Sequence, residues 1–191
     1  KDCFNDKKSS LTSLNHALVN DGIFLEIEEN YSFNKPLIIY NFFNKFSENK
    51  IINNKNFISL EKNSKLNLLE YYKAEDSIKY FNNTVHNYSI QENAILKKFS
   101  IDSNLDNSYN YHLTNVKSYS NSIFENFLLS CGSNFIKNEI HCDLLESFSS
   151  CFMNGLIFLS NHQHHELKTN INHRHKHCKS SQLVKSVLLD K

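Results

Sequence analysis

The side chains best suited to holding a metal crowd into one stretch, "NHQHHELKTNINHRHKHCKSS", residues 161–181, with six of the chain's ten histidines and one of its five cysteines. His173, His175 and His177 alternate, so on a strand their imidazoles share one face while Arg174, Lys176 and Cys178 take the other. Imidazole suits zinc, copper or iron, and His173, His175, His177 and Cys178 are the candidate ligands. Residues two apart on a strand lie roughly 6–7 Å apart at Cα, a spacing better for two ligands than three. Alternating basic side chains are also what a solvated strand face looks like. His162, His164 and His165 form a second group open to the same two readings.

The remaining reactive groups point less clearly. Cys3, Cys131, Cys142, Cys151 and Cys178 are odd in number with no CxxC, which argues against a disulfide framework or a zinc ribbon. Cys131, Cys142 and Cys151 sit in apolar company and read as buried, inert thiols. Glu125, Glu139 and Glu146 would serve a glycosidase or lyase if the fold paired them, which the sequence alone does not do. No GxSxG, HExxH, P-loop or dinucleotide fingerprint occurs, and 3 glycines leave little for a phosphate-cradling loop.

The elements that must position these groups are mostly strands. Leu11, Leu14 and Leu18 fall at helical spacing in "SSLTSLNHALVNDG", with serines ahead as caps and Gly22 as the stop, so a short helix is expected within an N-terminal segment, residues 1–21. From residue 22 to 191 ten short runs rich in Ile, Phe and Tyr follow one another, among them "LIIYNFF", "LNLLEYY", "AILKKFSI" and "IFENFLLS", each bounded by Asn, Ser, Asp or Glu. With 29 Asn against 3 Gly and 1 Pro, asparagine must fill many turn positions.

The runs repeat. Polar corners at Asn30, Asn63-Ser64, Asn93-Ala94, Asn121-Ser122 and Ser149-Ser150 are spaced by 33, 30, 28 and 28 residues. A period in the range of ~20–50 residues with strands inside it predicts a parallel β-helix, each repeat stacking on the next, in preference to an antiparallel sandwich.

Composition excludes little else. A net charge of +1 gives no global field for nucleic acid or an anionic membrane. No apolar run approaches the ~20 residues of a membrane span, and "KDCFNDKKSS" lacks a signal core. The chain reads as soluble and cytoplasmic, and its start at Lys1 and stop at Lys191 read as the ends of a fragment.

Along its length the sequence resembles the SufB/SufD proteins of SUF iron–sulfur cluster assembly, SufD more closely. "LNHALVNDGIFLEIEEN" is similar to the family's entry helix and first strand, "LEYYKAEDSIKYFNN" and "IQENAILKKFSI" to its central coils, and "NGLIFLSNHQHHE" with "INHRHKHCKSSQLVKSVLLDK" to late coils. His173, His177, Cys178, Ser180 or Ser181, and Lys185 follow the family's order, although "RHK" at 174–176 replaces the usual proline and small residues. The resemblance implies a right-handed parallel β-helix and a non-catalytic scaffold partnering a SufB-like subunit and a SufC-like ATPase. It implies no stably bound cofactor, a cluster assembled transiently in the complex, and partner-contact segments beyond Lys191. The alternatives are a β-helical polysaccharide-active enzyme or a stand-alone histidine-rich metal-binding module.

Overall fold

The computed structural model describes residues 9–75, 78–103 and 107–189. The first eight residues, with Cys3, lie outside the described residues, as does Lys191. Helix α1 (Ser10–Leu18) precedes twelve strands: β1 (Phe24–Ile27), β2 (Leu37–Phe43), β3 (Ile51–Leu60), β4 (Lys65–Ala74), β5 (Tyr80–Ile90), β6 (Ile95–Asp102), β7 (Ser108–Ser118), β8 (Ile123–Cys131), β9 (Phe135–Leu144), β10 (Ser150–Ser160), β11 (His164–His173) and β12 (Lys179–Leu189). Odd strands make one six-stranded parallel sheet, β1-β3-β5-β7-β9-β11, and even strands the other, β12-β10-β8-β6-β4-β2. Each odd strand and the even strand after it form one coil, and about six coils stack into the expected β-solenoid. The ten runs read as strands correspond to β1 through β10.

Asparagine sets the corners between odd and even strands. Asn30, Asn63, Asn93 and Asn121 sit one coil apart at φ 62°, 59°, 58° and 54°, the left-handed region that a short polar side chain tolerates best. Asn63 Nδ2 donates to Asn30 Oδ1 at 2.7 Å and Asn93 Nδ2 to Asn63 Oδ1 at 3.0 Å, so the column is also a ladder. From the second corner to the fifth, the residue that follows the left-handed one is small and fully buried: Ser64, Ala94, Ser122 and Ser149. The left-handed residue of the fifth corner is therefore Phe148, at φ 64°, one position before the expected Ser149-Ser150. Phenylalanine carries no turn signal, which is why sequence spacing misplaces that corner.

The helix forms where expected and with a serine cap as expected, but it ends before Gly22 and buries polar side chains. Ser9 caps it, its Oγ accepting the Thr12 N–H at 3.1 Å, and it ends at Leu18 with an extended Val19, four residues before Gly22. Its buried side chains are Thr12 and Asn15, while Leu18 is exposed. Asn15 Nδ2 donates to the carbonyls of Asn54 and Asn83, 3.0 and 2.8 Å away, pinning α1 to the outer face of the odd sheet, with Leu11 against Val85, Tyr111 and Leu113. Gly22 serves a close approach instead: a Cβ there would stand 2.0 Å from the Lys55 carbonyl oxygen.

Asn93→Ala is expected to destabilise the protein by about 1–2 kcal/mol, from the left-handed backbone and the lost ladder bond. Asn93→Gly, which frees the backbone, should cost less. Urea midpoints measure both, and equal losses would refute the backbone account.

Candidate functional site

The solenoid interior is layered. Next to the asparagine corners Ile58, Leu60, Leu66, Leu68, Tyr88, Ile90, Leu96, Phe124, Cys142 and Leu144 form the main apolar core. At the opposite edge Phe43, Tyr72, Ala74, Ile78 and Tyr80 form a smaller one. Between them lie buried ionisable groups from both sheets: Glu70, Lys98 and Asp102 from even strands, His86 and His112 from odd strands.

Glu70 organises this layer. Its carboxylate receives the Lys98 ammonium at 3.0 Å and the hydroxyls of Tyr88 and Tyr72 at 2.8 and 3.4 Å. Burial opposes the ionised carboxyl, but the His86 ring, the Lys98 charge and the Tyr88 hydrogen bond outweigh it and hold the group down at about 2. The Ile23 N–H donates to Asn56 Oδ1, so the Asn56 amide nitrogen faces His86 Nδ1, 3.3 Å away. A neutral ring accepting there carries its proton on Nε2, donates it to Tyr72 Oη at 3.1 Å, and leaves the Tyr72 proton for Glu70. His86 Nδ1 also lies 3.4 Å from Glu70 Oε1, yet burial wins and pushes the histidine down to about 3. His112 Nε2 stands 3.4 Å from Asp102 Oδ2 in the same layer. The enclosed cavity is about 10 Å³, one water at most. These groups tie the two sheets together and leave no room for a substrate.

Sequence reading missed this layer, although a signal was present. Leu66 and Leu68 in "KLNLLEYY" fix the inward phase of β4, and the same phase puts Glu70 and Tyr72 inside. Lys98 and Asp102 follow Leu96 in β6 in the same way.

The histidine-rich stretch is divided between elements. β11 ends at His173, residues 174–178 form a corner, and β12 starts at Lys179, so the three alternating imidazoles do not share a strand face. His177 holds the left-handed position at φ 62° and stacks on Phe148, the residue one coil below, with ring centres 5.1 Å apart. His173 Nε2 is 2.9 Å from Ser180 Oγ, and His175 Nδ1 is 2.6 Å from Ser147 Oγ. Cys178 continues the small-residue column of Ser149, with Sγ 3.4 Å from both Ser149 Oγ and the Glu146 carbonyl. His164 stacks on Phe135, and His165 bonds Ser130 Oγ at 2.9 Å. Among the described residues no three His, Cys, Asp or Glu side chains come together as a ligand set.

The other candidates are also dispersed. Glu125 pairs with Lys97 at 3.0 Å on the even sheet, Glu139 with Lys137 at 3.3 Å on the odd sheet, and Glu146 accepts the Ser120 N–H in a corner, so no catalytic carboxylate pair exists among these three. Cys142 and Cys151 are fully buried, and the hydrogen bond that the Cys142 thiol makes to Cys151, together with burial, pushes that thiol well up. Cys131, expected inside, is only partly buried.

A family model described as SUF system FeS cluster assembly, SufBD core domain, matches residues 42–191, well over half of the chain. The chain belongs to the SufB/SufD core family. The matched region runs from the end of β2 through β12, the stacked coils themselves, and assigns the protein to SUF iron–sulfur cluster assembly. No curated protein matches the chain. No helix among the described residues is long and apolar enough to cross a membrane.

The buried layer makes this SufBD core domain acid-sensitive. The unfolded chain binds a proton at His86 below pH 6.5, while the folded ring resists protonation down to about 3, so stability falls as pH drops through that window. Glu70 adds a second loss as pH falls from 4.5 toward 2. Between pH 6.5 and 5 the His86 contribution is about 2 kcal/mol, at about 1.4 kcal/mol per pH unit. Urea unfolding at pH 7 and pH 5 should register this loss, and His86→Gln should remove most of it. An unchanged pH dependence in the variant would refute the assignment. Glu70→Gln, which strands the Lys98 charge, should cost about 3–5 kcal/mol at pH 7.

Proposed function

We propose that this chain is a SufD-like, non-catalytic scaffold subunit that pairs with a SufB-like subunit and works with a SufC-like ATPase in the cytoplasm. The observation that carries the reading is the coincidence of the family match with the stacked coils. A solenoid supplies long rigid faces and defined ends for assembly. Its closed ionic interior favours holding shape over turning over a substrate. The SufD side of the reading is supported by the order of His173, His177, Cys178 and Lys185.

In this proposal the iron–sulfur cluster is cargo, built transiently and held mainly by the partner's thiolates. Thiolates are the ligands such clusters prefer, and a deeply buried Cys142 with a raised pKa is a poor source of one. The residues of this chain proposed to meet iron are His173, His175, His177 and Cys178, gathered along one corner, where the three histidines are exposed and Cys178 is partly so.

The complete protein carrying this chain, co-expressed with SufB-like and SufC-like subunits of its own organism and purified without oxygen, is expected to yield one three-component assembly by native mass spectrometry. Recovery of this protein alone would overturn the scaffold reading. Within the assembly, the double variant His173→Ala/His177→Ala should lower iron content without dissociating the subunits. Unchanged iron would remove the corner from the proposal.

A further inference from the structure

The outer faces of the two sheets differ in kind. The odd sheet's outer face carries asparagine ladders, Asn83 to Asn53 and Asn115 to Asn87, and is partly covered by α1. The even sheet's outer face carries aromatic and aliphatic side chains in register. Ile38, Phe99 and Leu183 are 58, 42 and 57 % exposed along one column, and Tyr40 and Phe158 are exposed beside it. Phe99 and Phe127 stack with ring centres 4.4 Å apart, in the wall of a groove of about 830 Å³. Exposed apolar side chains gathered on one face in this way are a candidate interaction site.

The charges on this face select its occupant. Alternation and register turn Lys65, Lys73, Lys97, Lys179 and Lys185 outward, and Glu125 is the carboxylate that accompanies them, already 3.0 Å from Lys97. A second copy laid face to face would bring five lysines toward five lysines with only Glu125, already paired with Lys97, to meet them, so self-pairing is disfavoured. An anionic membrane would satisfy the lysines, but the aromatic rings line a groove, and a recessed apolar strip receives a rod better than it inserts into a flat bilayer. Lysines at Lys65 and Lys73 stand at opposite ends of β4, spanning the apolar columns.

We propose that the outer face of the even-strand sheet docks an acidic amphipathic helix of a partner protein. The helix lays its apolar stripe along the aromatic columns and its carboxylates against the lysines, as helix-in-groove recognition requires. The proposal stands on this face and not on the assignment of SufB-like or SufC-like partners.

The test uses the full chain and two model helices of roughly 18 residues, one alternating leucine and glutamate on opposite faces, the other leucine and lysine. Fluorescence anisotropy should give at least tenfold tighter binding to the glutamate peptide, and hydrogen exchange should report protection in β4, β6 and β8. The double variant Lys65→Glu/Lys73→Glu, exposed positions whose change leaves the core intact, should weaken binding at least tenfold, while Lys168→Glu on the odd sheet should not. Equal affinity for both peptides, or binding of neither, would overturn the proposal. Tighter binding to phosphatidylglycerol vesicles than to the glutamate peptide would overturn it in favour of a membrane surface. Concentration-dependent self-association that protects the same strands would overturn it in favour of a second copy.

Discussion

Parallel in-register stacking is the constraint on which everything else here depends. Each coil lies about 4.8 Å above the last, so every inward side chain meets the same column one coil away. Like charges therefore must not follow one another in a column. The Glu70 column continues as Ser100 and Leu128, and the Lys98 column runs through Leu68 and Asn126. Each buried charge is thus flanked along its sheet by neutral groups and finds its partners across the interior or one column away. The Glu70 carboxylate, with Lys98, Tyr88 and Tyr72 around it, satisfies the rule that a buried charge survives only when paired and hydrogen-bonded.

The same constraint explains the corners. A coil that must return to register needs its turn at the same place each time, and a left-handed residue makes that turn in one step. Asparagine does so at modest cost and can bond its copy in the next coil, as Asn93, Asn63 and Asn30 do. The departures at Phe148 and His177 fall in the two last corners, where ring stacking replaces the amide ladder. This accounts for two of the residues in 173–178: His177 fills a corner slot, and Cys178 fills the small-residue slot beside it.

What the sequence disclosed was what repeats. The coil period, ten strands and four asparagine corners were legible because alternation and turn residues recur at near-constant spacing. The alternating histidines misled, because period-two spacing implies a strand only if the strand continues, and β11 stops at His173 to make the corner. The helix was legible as an element, but its leucine spacing marked the buried side only in part: Leu11 packs on the sheet while Leu18 is exposed. Asn15 and Thr12 are buried instead, since the sheet beneath presents backbone carbonyls to be satisfied. The ionic layer went unread for a different reason. Glu70 and Lys98 lie within otherwise apolar phases, and recognising them as partners requires the sheet-to-sheet contact that no local pattern encodes.

An ionic layer between the apolar cores and aromatic groups on an outer face are two departures from the usual arrangement, and they have different physical standing. The interior charges are compensated within the chain, so their burial is self-sufficient and closes the solenoid to substrates. The outer face of the even sheet has no such compensation: Ile38, Tyr40 and Leu183 are each more than half exposed, and their contact with water lowers stability relative to a covered face. The proposed docking of a partner helix would resolve that imbalance, because covering the face recovers the hydrophobic free energy that the isolated coil leaves unused. Under that proposal the β-solenoid is a stiff, internally locked bar whose interior fixes its shape and whose exterior carries its affinities.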